Sequence, residues 1–93
     1  MLFAEKIKQL REERQLPQRQ LAAELQIDTA TYCKIERGDR SAKREQVVML
    51  AKLLEAESNA LLSLWLADRI MKTIDGDELA REALMIVEQK IIK

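Results

Sequence analysis

The sequence predicts an all-α fold, and three observations carry that reading. Only two glycines and one proline occur in 93 residues, too little turn chemistry for a sandwich or barrel of short strands. Leu, Ala, Glu, Lys and Arg, all good helix formers, dominate the chain, and aromatic residues make up 3%. Apolar residues also return at spacings of three and four, the period of a helix with one buried face. With 47% hydrophobic and 34% charged content, a chain of this length is expected to form one soluble domain around one core.

The first helix is expected over residues 4–14, where Phe3, Ile7 and Leu10 align on one side. Pro17 stops it and opens a second helix, since a proline at a helix start gives up an N–H that has no intrahelical partner there. That helix runs to Leu25 and buries Leu21, Ala22 and Leu25. Asp28 is a good N-cap, its carboxylate accepting from free backbone N–H groups, and a third helix follows from Thr29 to Arg37 with Gly38 as its terminator. A fourth, over residues 43–54, places Val47, Leu50, Ala51 and Leu54 on one face. The fifth begins at Glu57 or Ser58, and its run of Leu61, Leu62, Leu64, Trp65 and Leu66 asks for cover on two sides. Asp77 is expected to cap a sixth helix from Glu78, whose stripe of Ala80, Leu84, Val87 and Ile91 asks for a partner.

Composition also narrows the function classes. There is no histidine and one cysteine, so the usual zinc clusters, Ser-His and Cys-His nucleophile pairs and internal disulfides are not expected. No metal or cofactor is implied, and an enzyme is the least expected class. The carboxylate pair Glu12/Glu13 reads as a solvated face, and the run Asp75-Gly76-Asp77-Glu78 as a turn before a helix. The N-terminal stretch carries Glu5, Glu12 and Glu13, unlike a signal peptide, and no uncharged run is long enough to span a bilayer, so a cytoplasmic protein without membrane contact is expected. Net charge is zero, with 16 basic and 16 acidic groups. The charge is nonetheless uneven: Lys34, Arg37, Arg40, Lys43 and Arg44 face only Glu36 and Asp39 within residues 34–44. A local basic patch of that kind suits phosphates.

The second and third helices, joined by Leu25-Gln26-Ile27-Asp28, form a helix-turn-helix pattern. Tyr32 and Ile35 face inward from the third helix, while Thr29, Cys33 and Arg37 share another face with Ala30 and Lys34 beside it. Small Thr29 and Ala30 let a helix end sink into a major groove, where a methyl group packs on thymine and Lys34 reaches guanine acceptors.

Residues 16–54, and above all Gln18, Leu21-Ala22, Ile27, Ile35-Glu36-Arg37-Gly38 and Leu50-Ala51, resemble the Cro/CI-type, or XRE-family, helix-turn-helix domain of phage repressors and bacterial regulators. The resemblance spans about residues 3–62 and implies a lambda-repressor-like bundle of about five helices, with an additional C-terminal helix for dimerisation. It implies base reading by Thr29, Ala30 and Lys34, with Cys33 and Arg37 at the groove margin, and phosphate contacts from Gln18, Arg40, Ser41, Lys43 and Arg44. It further implies an ion pair between Arg11 and Glu36. Gln26 stands where the family often has glycine, and at positive φ it would cost on the order of 1 kcal/mol. Pro17 replaces the usual Ser or Asn cap.

The expected organisation is a DNA-binding domain over residues 1–62 and a helical extension over 63–93, with Trp65, Leu84, Val87 and Ile91 at a homodimer seam. The expected function is sequence-specific binding of double-stranded DNA at an inverted repeat, as a repressor-type regulator acting by occupancy. Two alternatives stay open: an antitoxin-like module whose C-terminal helices hold a protein partner, and a controller of a restriction-modification system. Cys33 reads as a space-filler, with a redox switch as the sharper alternative, and Tyr32 as a core residue.

Overall fold

The computed structural model describes residues 1–92 and contains six α-helices and no strand among them. These are α1 (Leu2–Glu13), α2 (Gln18–Glu24), α3 (Thr29–Arg37), α4 (Arg44–Leu53), α5 (Ser58–Ile74) and α6 (Ala80–Ile91). The expected all-α helix-turn-helix bundle is what forms. None of these helices is long and apolar enough to cross a membrane.

Local sequence accounts for the starts of α3, α4 and α5. Asp28 caps α3, its carboxylate accepting from the Thr31 N–H at 2.6 Å, and Glu57 caps α5 through the Ala60 N–H at 3.0 Å. At α4 the Gln46 side chain reaches back to accept from the Lys43 N–H at 2.8 Å. Lysine has no acceptor with which to return the bond, so only half of a capping box exists. Pro17 precedes α2 with φ −75° and no side-chain cap.

The helix ends share one device. In α1 the N–H of Leu16 bonds to the Arg11 carbonyl and that of Gln15 to Glu12; in α2 Ile27 bonds to Ala22 and Gln26 to Ala23. After α3 and α4 the same pair of bonds recurs, from Asp39 and Gly38 and from Ala56 and Glu55. Each is a Schellman closure, which requires a left-handed residue at its centre. Gly38 provides it at φ +83°, where an added Cβ would also lie 2.8 Å from Met1 Cγ. Gln15, Gln26 and Glu55 adopt φ of 56°, 59° and 52° although they carry side chains. The apolar residues that follow, Leu16, Ile27 and Ala56, pack against the core and hold those turns in place. Gln26→Gly should therefore raise stability by about 0.5–1 kcal/mol, the relief of left-handed strain less the added entropy of the unfolded chain. A higher urea midpoint at unchanged slope is the expected reading; an unchanged midpoint would show the turn to be unstrained.

One core joins α1 to α5. Ile7, Tyr32, Val47 and Leu50 are inaccessible to solvent, with Phe3, Leu21, Ala22, Ile35, Leu54 and Leu61 around them. Leu25, expected in the buried face of α2, caps that helix and is only partly buried.

Three features depart from the sequence-based expectation. Trp65, expected to serve both the core and a dimer seam, lies in this core at 8% exposure, its indole N–H donating to the Ala42 carbonyl at 2.8 Å. An indole satisfied in this way anchors the loop between α3 and α4 onto α5. The buried Asp68 carboxylate accepts from the N–H groups of Leu2 and Phe3 at 2.9 and 2.8 Å, capping α1 from a residue 65 positions away. The line drawn between residues 62 and 63 thus falls inside a helix whose core contacts continue to Asp68. Finally, α6 begins at Ala80 and not at Glu78, because Asp77 accepts from the Leu79 N–H at 2.8 Å in a turn preceding the helix. No residue of α6 is buried.

Candidate nucleic-acid interface

The α2–α3 pair exposes one face of α3 by burying the opposite one. Tyr32, Ile35 and Glu36 point into the domain, which leaves Thr29, Ala30, Lys34 and Arg37 exposed along the outer side of α3. Arg37 donates to Asp39 at 3.1 Å, an exposed pair of the kind that contributes little to stability. Hydrogen bonding to Thr31 holds the Asp28 carboxyl below the usual carboxylate range, so the N-terminal end of α3 keeps a charged cap beside Thr29 and Ala30.

Cys33 does not join that exposed band. It is half-buried against α2, where its thiol donates to the Gln18 side-chain oxygen at 3.2 Å. Gln18 in turn donates to Glu36 Oε1 at 3.1 Å. Both side chains, expected at the DNA surface, are thus tied into the α2–α3 crossing. The first N–H groups of α2 have no side-chain cap.

Arg11 and Glu36 form the expected pair, and its geometry is bidentate. Arg11 Nε lies 2.8 Å from Glu36 Oε2 and Nη2 lies 2.9 Å from Oε1, while Nη1 donates to the Leu16 carbonyl at 2.8 Å. The Glu36 side chain is 1% exposed. Burial alone would raise its pKa, but hydrogen bonds from Arg11 and Gln18 outweigh that, and the carboxyl titrates below its ordinary range. The guanidinium is held above its own, chiefly by the same hydrogen bond. The Tyr32 hydroxyl lies next to this pair but outside hydrogen-bond geometry, and burial drives its pKa up. Together these contacts lock α3 against α1 and α2 and so fix the angle at which the exposed face is presented.

Beyond α3 the loop carries Arg40, Ser41 and Lys43, all exposed, and α4 opens with Arg44. The structure brings these four residues together beside the C-terminal end of α3. Trp65 organises them: it binds the loop through Ala42, and the Arg44 guanidinium sits 5.5 Å from its ring centroid. Sequence reasoning missed this positioning role, as it missed Asp68, since both operate between residues far apart in the chain. Among the described residues no cluster of three or more His, Cys, Asp or Glu suits a metal ion.

At the C-terminal end, Leu84, Val87 and Ile91 are exposed, at 41%, 50% and 74%. Leu66, Ile70 and Met71 of α5 are exposed too. Among the described residues these apolar side chains of α5 and α6 stay uncovered.

Comparison with known proteins agrees with this geometry. A family model described as a helix-turn-helix domain matches residues 2–65, the segment from the start of α1 to Trp65 that encloses the core. No curated protein and no solved structure matches the chain. On the matched span and the exposed recognition face, the chain belongs to the helix-turn-helix domain family found in XRE-type transcriptional regulators, and is a DNA-binding regulator.

Proposed function

We propose that the protein is a sequence-specific double-stranded DNA-binding transcriptional regulator that works as a homodimer on an inverted repeat and acts by occupancy. The observation that carries this reading is the exposed band Thr29, Ala30 and Lys34 on α3, flanked by a loop whose Arg40, Lys43 and Arg44 form no ion pair among the described residues. Thr29 and Ala30 supply methyl groups for thymine and Lys34 a donor for guanine acceptors. Arg40, Ser41, Lys43 and Arg44 supply phosphate contacts that fix register without choosing sequence. The exposed apolar surface of α5 and α6 pairs two copies, so that two α3 helices enter successive major grooves about 34 Å apart.

Selection of bound duplexes from a random pool tests the reading directly. An inverted repeat with half-sites about one helical turn apart is expected; no enriched sequence, with only weak salt-driven binding, would refute it. On the selected site, Lys34→Ala should cost about 1–3 kcal/mol while leaving random DNA little affected. Arg44→Ala should weaken both alike and reduce the salt slope by about 1. Equal losses on cognate and random DNA for both variants would overturn this division of roles. A stoichiometric protein retained on α6 in place of a second copy would favour the antitoxin-like alternative.

A further inference from the structure

A groove of about 380 Å³ lies between the start of α1, the α3–α4 loop and α5. Arg40 from the loop and Arg69 and Lys72 from α5 line it, over a floor that includes Ile35 and Trp65. None of these three cations has a carboxylate partner among the described residues. The two acids in the same lining are already engaged: Asp39 with Arg37 at 3.1 Å, and Asp68 with the N–H groups of Leu2 and Phe3. The lining thus sets three cations against two carboxylates, one paired with Arg37 and the other buried, and the groups free to meet a ligand are the cations.

Arg69 is also held in place. Its guanidinium sits 4.8 Å from the Trp65 ring centroid, and stacking of this kind leaves the planar fork of donors free at its edge. Arg69 and Lys72 are three residues apart in α5, hence on one face of the helix. Ser41 lines the groove as well, so the cationic surface runs without a break from the loop into α5.

We propose that Arg69 and Lys72, with Arg40, bind a backbone phosphate of the DNA, extending the phosphate-contacting surface from the α3–α4 loop onto α5. The inference rests on the proposed DNA-binding function and enlarges its footprint. The contact reads no base, because it is made by groups that recognise phosphate charge alone. Trp65 is then a positioning residue for both parts of the surface, fixing the loop through Ala42 and the α5 contact through Arg69.

The test is the salt dependence of binding to the selected duplex and to random DNA, for the parent protein and for Arg69→Gln/Lys72→Gln. Each phosphate contact contributes about 0.9 to the slope of log affinity against log salt, so the double variant, which gives up one phosphate, should lose up to about 0.9 of slope, equally on both DNAs. Lys72→Gln alone, at a position with no hydrogen bond or ion pair to lose, should give part of that loss with an unchanged melting temperature. A double variant with the parent's slope would overturn the groove assignment and leave the DNA-binding reading intact; a parent that binds no duplex would overturn both. An unchanged slope, with inorganic phosphate raising the melting temperature of the parent and not of the variant, would assign the groove to a free anion and likewise overturn the proposal.

Discussion

Arg11→Ala should lower the free energy of unfolding by about 3 kcal/mol, because it strands a Glu36 carboxylate whose side chain is 1% exposed. Arg11 donates three hydrogen bonds, two of them to that carboxylate, and none is replaceable by water at a closed site. The double variant Arg11→Met/Glu36→Leu should regain most of the loss, since removing both charges leaves no buried ion without its partner. Urea denaturation of the three proteins decides the point: a loss below about 1 kcal/mol for Arg11→Ala would show that water reaches the carboxylate. The same pair predicts a pH dependence. The pKa of Glu36 is lower in the folded state than in the unfolded chain, so its stabilising contribution is complete above the unfolded value. It is lost as pH falls through the folded one. Acid should thus destabilise the parent more steeply than Arg11→Met/Glu36→Leu.

Leu84→Asp/Val87→Asp should convert the proposed dimer to a monomer and reduce affinity for the inverted repeat by about 10²–10⁴-fold, the gain that linking two half-site contacts provides. Neither residue is buried within one chain, so the substitutions place charge only where a second copy would lie, and the melting of the α1–α5 core should not change. Sedimentation and operator titration give the two readings. A parent that is monomeric at micromolar concentration, or a variant that stays dimeric, would remove α6 from the dimer seam. Trp65 is unsuited to the same test, since its loss would open a cavity in the core and free the α3–α4 loop.

How far the interface was legible in the sequence depended on the range of the interactions involved. The helix-turn-helix pattern, the Asp28 cap and the Gly38 terminator are written in residues within a few positions of one another, and α3 has the bounds expected of it. The exposed placement of Thr29, Ala30 and Lys34 follows from the inward positions of Tyr32 and Ile35, which periodicity predicts. Gln26 shows its left-handed conformation only through the glycine that the family often has at that turn, and Gln15 and Glu55 carry no local sign of theirs, because what holds all three is the burial of the apolar residue that follows each turn. Cys33 shares a helix face with Thr29 and Arg37 by spacing, and Gln18 is placed at the DNA surface by the resemblance. Their mutual hydrogen bond exists only because α2 and α3 cross at that point.

The sequence by itself determined the fold class, the helix-turn-helix pair, the exposed basic loop and the Arg11–Glu36 pair, since helix periodicity, capping and a resemblance carried by short motifs are local information. Tertiary structure alone decided that Trp65 holds the α3–α4 loop through Ala42, that Asp68 caps α1, and that Arg69 and Lys72 join the basic loop in one groove. Those assignments depend on which faces of α1, α4 and α5 meet. Adjacent residues on a helix point in different directions, and only the packing of the whole bundle chooses which of them is buried.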